Sequence, residues 1–416
     1  MFVSLHYMEN SFFNRRNGAI DMLRGLTMFL MIFVNDLWTV GDVPHFLEHA
    51  GTREDAMGLA DIVFPMFLFA VGMSIPYAIE HRFAKHIAGE KTLAHIISRT
   101  FALLVMGVFL VNANGRMAPL LGCGEWLFSL FAILGFFLVW NAYPEQAKAG
   151  RWLRGAGIVL LLALAITYRT EDGGFLKARW WGILGMIGWA YLFTAVAWLL
   201  CRQRTGILSL LWIGIAGLNL IATPMRDGSM LIDGGNVLRD FARALNIDNG
   251  SSVLMTLGGV LVVDQEKNFA REPAGRKLMY AALTVGVLLG FGTAAHEEWI
   301  ISKNIGTLPW CFYVTALSII LYTVLRVLED KGWTRWFAPF RPAGIATLTV
   351  YLIPDVYYAA AEGLGLESPD WLAGPLGLVK CVAFAFFCIG TAWALGKGGV
   401  KIKIEMPYFR GIRVYR

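Results

Sequence analysis

Apolar residues in this chain come in long runs separated by short polar connections, and the runs do not alternate with the period of two that marks a strand. Stretches of spanning length fall near 20–40, 58–79, 98–113, 125–143, 153–168, 182–201, 206–223, 251–265, 277–294, 308–327, 342–361 and 373–396. Several are shorter than the ~20 residues that a membrane-crossing helix needs, so the pattern predicts about 12 spans, or 11–12 when the short ones are weighed. Inside lipid every backbone N–H and C=O needs an internal partner, which leaves helices or closed barrels. These runs far exceed the roughly 9–11 residues of a barrel strand. The expected fold is all-α, a polytopic transmembrane helical bundle without a soluble domain, and residues 1–416 form one domain. No internal repeat or low-complexity linker interrupts it. The longest connection, about 224–250, is expected to hold a short amphipathic helix around Val237–Leu245.

Composition sharpens that picture. Of 416 residues, 57% are hydrophobic and 16% charged, against roughly 45–50% and about 25% in a soluble domain. There is too little charge to clothe a water-facing surface of this size. The net charge of +6 does not point to nucleic acid, because the basic residues sit in short clusters between apolar runs. Counted alternately, one side collects Arg82, Lys85, Lys91 and Arg99, then Lys148, Arg151 and Arg154, then Arg202 and Arg204, then Lys267, Arg271 and Arg276, and finally Lys397, Lys401 and Lys403. The other side carries Glu48, Glu54, Asp55, Glu171, Asp172, Glu297, Glu298 and Glu367. The positive-inside rule then puts both termini in the cytoplasm and the acidic loops outside. Residues Met1–Arg16 are polar, so no cleavable signal is expected. The five cysteines lack metal-ligand or disulfide spacing, no metal site is expected, and neither a P-loop nor a Rossmann fingerprint occurs.

Candidate chemistry concentrates in the first quarter. Asp21 and Arg24 lie three apart at one end of the first predicted helix and read as a structural ion pair. At its other end come Asn35 and Asp36, then a loop with His45 and His49, and then Asp61, four residues before Pro65. Polar groups at span ends face a cavity or a partner, so this hairpin places an imidazole, an amide and carboxylates at one mouth. An imidazole can take a proton from an amine near neutral pH while a carboxylate holds its tautomer. Elsewhere, Glu297 and Glu298 beside His296 are candidates to grip sugar hydroxyls or an ammonium group. Arg116 and Arg226 are cations of the same side without an assigned partner. Gly72, Gly107, Gly185, Gly188, Gly258 and Gly259 are expected at close helix contacts.

The order of these segments resembles the heparan-α-glucosaminide N-acetyltransferase family, including its bacterial glucosamine-acetylating relatives. The resemblance rests on Asp21-Met22-Leu23-Arg24-Gly25, Val34-Asn35, His49-Ala50 and the helix opening Ala60-Asp61-Ile62-Val63-Phe64-Pro65-Met66-Phe67 through Gly72. Phe101 to Asn114 resembles the family's third span, and Ile301-Ser302-Lys303-Asn304-Ile305-Gly306-Thr307 its Ile-Asn-Lys-x-Leu-Trp-Thr stretch. It is good over about 17–115, the expected catalytic helices, and patchy over 180–360. The departures are a His-to-Asp stretch two residues longer than usual, Ser302 and Gly306 in place of an asparagine and a tryptophan, and Trp181–Trp189 where a Val-Leu-Gln-Arg stretch is usual.

The resemblance implies His49 as the catalytic residue with Asn35 near the reacting acetyl group and Asp61 beside them; Lys303, which matches the family's lysine, and Asn114 are expected toward the acetyl-CoA donor, and by their position in the loops Asp36, Glu297 and Glu298 toward the acceptor. It implies transfer of an acetyl group from cytoplasmic acetyl-CoA to the amine of glucosamine or a terminal glucosaminide, in a homodimer of the bacterial inner membrane. Two other classes fit the residues: a secondary transporter for a sugar or organic acid, and an O-acetyltransferase acting on a glycan.

Overall fold

The computed structural model describes residues 13, 17–113, 118, 124–144, 148–202, 204–232, 237–245, 247–369 and 371–404. Helices occupy all twelve predicted stretches. They are α1 (Gly18–Asp36), α2 (Leu59–Ala84), α3 (Gly89–Ala113), α4 (Glu125–Trp140), α5 (Lys148–Thr167), α6 (Gly182–Leu200) and α7 (Thr205–Ala222), then α8 (Val237–Leu245), α9 (Ser251–Asn268), α10 (Ala274–His296), α11 (Leu308–Asp330), the short α12 (Arg341–Ile345), α13 (Thr347–Gly363) and α14 (Gly374–Lys397). Nine of the described helices are long and apolar enough to cross a membrane, and α4 is a shorter apolar helix. With α9 and α13 they make up the twelve; α8 is the amphipathic helix expected in the long connection. No strand pairing beyond isolated bridges occurs among the described residues. The protein is a polytopic helical membrane protein.

Burial orders the bundle. In α2, 78% of the apolar window lies inside the protein, against 11% in α10. Thus α2 is the axis and α10 a lipid-facing rim. Helix α2 packs on α1 and α9, and α3 packs on α6. Small residues permit both central crossings: a Cβ on Gly72 would stand 1.8 Å from the Thr256 carbonyl oxygen, and one on Gly107 2.3 Å from that of Trp181. Close backbone approach of this kind is how helices associate where lipid offers no hydrophobic drive. At Gly258 the same test meets only side-chain atoms at ordinary contact distance, so that glycine is not needed for the crossing.

The ends of α1 are fixed by charge. Asn17 caps its start by accepting the Ile20 N–H, and Glu329 of α11 accepts the N–H groups of Gly18 and Ala19 at 2.8 and 3.0 Å. A carboxylate there also complements the helix dipole. Arg24 Nη1 lies 3.8 Å from Asp21 Oδ1, and Nη2 donates to the Thr347 hydroxyl. At the other end of α1, Asp36 is fully buried and accepts from the Lys380 ammonium at 2.8 and 2.9 Å and from the Tyr358 hydroxyl.

Candidate active site

The irregular connection between α1 and α2 is folded back onto the start of α2. Gly58 makes this possible, because a Cβ there would stand 1.9 Å from the Glu48 carbonyl oxygen. With that approach allowed, Asp61 in the first turn of α2 accepts from the Gly58 N–H at 3.0 Å and the Ala50 N–H at 2.9 Å. The same carboxylate takes a third bond, 2.7 Å, from His49 Nδ1. An ionised carboxylate only accepts, so the proton sits on Nδ1 and the lone pair of the neutral ring is on Nε2. Asp61 is buried while the His49 side chain is about half exposed (51%).

A third group joins from the far half of the chain. Lys303, in the connection between α10 and α11, places Nζ 3.2 Å from His49 Nδ1, 3.5 Å from Nε2 and 3.9 Å from Asp61 Oδ1. Burial pushes its pKa down to about 8, against the opposing pull of Asp61. The connection is stiff. The Thr307 hydroxyl donates to the Ile300 carbonyl and accepts the Ser302 N–H, Gly306 adopts φ +72°, and Asn219 of α7 donates to its carbonyl. Ser302 and Asn304 donate to the carbonyls of Thr52 and Ala50, and the Trp310 indole donates to that of Asp61. The two connections therefore form one surface around His49.

Asp55 is their latch. It pairs with Arg226 at 2.7 Å and His296 at 2.8 Å and accepts the Ile301 N–H at 2.8 Å. Burial works against its charge, but these donors outweigh burial and hold its pKa below the usual carboxylate range. Arg226 thus has its partner; Arg116 lies outside the described residues. His45 pairs with Glu54, at 2.7 Å, in the exposed part of the loop.

The remaining predicted residues separate. Asn35 is exposed at the end of α1, and its side chain makes no hydrogen bond among the described residues. Asp36 is spent on Lys380 and Tyr358. Glu297 and Glu298 are exposed, and neither carboxylate has a partner among the described residues. Asn114 lies outside the described residues; its neighbour Asn112 is buried and ties α3 to Lys177. Among the described residues no group of three or more His, Cys, Asp or Glu could hold a metal.

A cavity of about 650 Å³ opens at the end of the bundle opposite His49. Arg24, Arg99, Lys401 and Lys403 stand in its wall, which runs inward to Met31 and Phe67. At 1.5 Å per helical residue, Met31 is ~6 Å along α1 from Asn35, and Phe67 is ~9 Å along α2 from Asp61. These cations are brought together from α1, α3 and the chain after α14.

The family described as Domain of unknown function (DUF5009) matches residues 16–223, half of the chain. The chain belongs to that family. The match takes in α1 to α7, including His49 and Asp61 but not Lys303. Over 105 residues the chain is also 34% identical to mouse and 31% identical to human heparan-alpha-glucosaminide N-acetyltransferase. The aligned stretch is 25% of this chain and 15% of each relative. This DUF5009 member is therefore similar to N-acetyltransferases across one segment.

Proposed function

We propose that the protein transfers the acetyl group of acetyl-CoA to the amine of glucosamine or a terminal glucosaminide at its His49 end. The cluster of His49, Asp61 and Lys303 carries the reading: an imidazole with a fixed tautomer, its orienting carboxylate, and an ammonium that can give up its proton near neutral pH. The cavity at the opposite end supports the donor. Its cations match the nucleotide phosphates, and its apolar inner wall suits a pantetheine arm reaching toward α1 and α2. With the positive-inside charge bias, that cavity would face the cytoplasm and His49 the outside.

In the direct route the sugar amine attacks the thioester carbonyl carbon and a C–N bond forms as the C–S bond breaks. His49 Nε2 takes the proton from the amine. The CoA thiolate takes a proton from Lys303, and the proton on His49 then returns to Lys303. In the covalent route Nε2 itself attacks the carbonyl carbon first and the C–S bond breaks, the leaving thiolate taking a proton from Lys303; the amine then takes the acetyl group from the ring, which regains its Nε2 lone pair, and the amine's proton passes to Lys303. Asn35 would donate to the developing oxyanion in either route. The homodimer implied by the family resemblance belongs to the same proposal.

The test is CoA release by purified protein given acetyl-CoA and glucosamine. Release that depends on the sugar and disappears in His49→Ala supports the proposal. Sugar uptake into vesicles without CoA release would instead make the protein a transporter. Product from hydroxyl but not amine acceptors would make it an O-acetyltransferase. A burst of CoA and a labelled His49 without sugar selects the covalent route.

A further inference from the structure

An acidic side chain deep in a membrane bundle is costly and faces a partner or a pathway. Asp355, in the middle of α13, has no partner: it makes no hydrogen bond or ion pair among the described residues. It is not sealed in either, since part of its surface is accessible. The helix face it occupies shows what lies in front of it. At 3.6 residues per turn it falls between Leu348 and Tyr351 around the axis of α13, and both of those line the cavity of about 650 Å³. Tyr357, roughly opposite Asp355 on the helix, carries the lipid side at 43% exposure. Asp355 therefore looks into the bundle, one turn or ~6 Å beyond the last cavity residue of its helix.

Helix α1 repeats the pattern. It runs parallel to α13: Arg24 donates to Thr347 near the start of both helices, and Tyr358 donates to Asp36 near the end. Asn35 falls between Met28 and Met31 around the axis of α1, again one turn past the last cavity residue, and it is exposed. Two polar side chains thus continue two apolar cavity walls toward the His49 end. Asp355 precedes Tyr358 by three residues and Asn35 precedes Asp36 by one, so the carboxyl group starts from a level ~3 Å deeper.

Resting on the acetyl-CoA reading above, we propose that Asp355 binds the pantetheine arm of the donor by accepting the amide N–H nearest the sulfur. The arm is uncharged, and its amide donors need acceptors once they leave water. A carboxyl oxygen is the acceptor this stretch of wall provides. An ethylene link separates that amide from the sulfur, so an amide held at Asp355 sets the thioester farther out, toward Asn35. The bond fixes how far the arm advances; Asp355 takes no part in the proton transfers.

The test is binding, read by calorimetry on the purified whole chain with CoA and with an analogue whose amide nearest the sulfur is replaced by an ester, which removes the N–H. The parent is expected to hold CoA on the order of tenfold more tightly than the ester analogue. Asp355→Leu should abolish that difference by weakening CoA alone, and Asp355→Asn, which keeps an acceptor oxygen, should retain part of it. Because the carboxyl group has no partner in the fold, Tm of Asp355→Leu should not fall; a large fall would show that the group serves the fold and overturns the proposal. A preference for CoA that persists in Asp355→Leu overturns it as well, and so does equal binding of CoA and ester by the parent, which needs no variant. A parent that binds neither compound overturns the donor reading itself, and this proposal with it.

Discussion

The ammonium of Lys303 stands 3.2 Å from Nδ1 of His49 across 254 residues of sequence. Nδ1 already gives its proton to Asp61, so the ring has a carboxylate and a cation beside it at once. The acid fixes which nitrogen is free, and the cation sets what happens to a negative charge formed beside it.

Asp61→Asn should therefore be more harmful than its size suggests. Asp61 accepts three donors: Ala50 N–H, Gly58 N–H and His49 Nδ1–H. An amide has one acceptor oxygen. If that oxygen keeps the two backbone donors, the NH₂ group faces Nδ1 and moves the ring proton to Nε2. The base is then blocked, and kcat is expected to fall on the order of 10²–10⁴-fold with a small change in KM. CoA-release kinetics check this; a variant within a few-fold of the parent would remove Asp61 from the mechanism.

Lys303 acts as an acid only while it is an ammonium. With its pKa near 8 through burial, kcat should fall as pH rises through about 8. Lys303→Arg keeps the charge but cannot release a proton in this range, so its kcat is low and the decline above pH 8 vanishes. A parent pH profile that is flat from 7 to 9, or one that Lys303→Arg leaves intact, would show that Lys303 only shapes the loop.

How much of this was legible beforehand depends on the range of the interaction. Length and hydropathy place the twelve helices, because in lipid each must satisfy its own backbone. The short reach from His49 to Asp61 across one loop and one helical turn was also visible, and so was the family likeness that singled out Lys303. The division of labour among acids was not. Asp55, Glu297 and Glu298 look alike in a chain of loop charges, yet Asp55 alone among them meets Arg226, His296 and a backbone N–H. Those partners are set by where α10 and the connection after α7 end. Lys380 did carry a signal, as a lone cation within an apolar run, since such residues require a partner. Its partner Asp36 was instead read as a group facing substrate.

Asp55 gives a pH-dependent latch whose sign is fixed. Its pKa is held below the ordinary value in the folded protein, so its contribution to stability is full above the unfolded carboxylate pKa and is lost as pH falls through the folded one. Protection against hydrogen exchange, taken relative to the intrinsic rate at each pH, should fall together in 45–58 and 296–304 at acidic pH. Asp55→Asn should produce the same loss of protection at pH 7. Exchange that rises in one segment alone would mean the two connections are not joined through Asp55.

The pairing of Asp36 with Lys380 makes a prediction that separates structure from catalysis. Asp36 is fully buried, and the Lys380 ammonium spans both its oxygens and the Thr39 hydroxyl. Removing one member of such a pair strands the other charge, at a cost of about 3–5 kcal/mol, whereas replacing both by apolar groups is often neutral. Lys380→Met should thus lower Tm strongly, and Asp36→Leu combined with Lys380→Met should recover most of the loss. If Asp36 only joins α1 to α14, the double variant also keeps its CoA release, because His49, Asp61 and Lys303 are untouched. A double variant with restored Tm but no turnover would instead put Asp36 in contact with the acceptor, as the sequence first suggested.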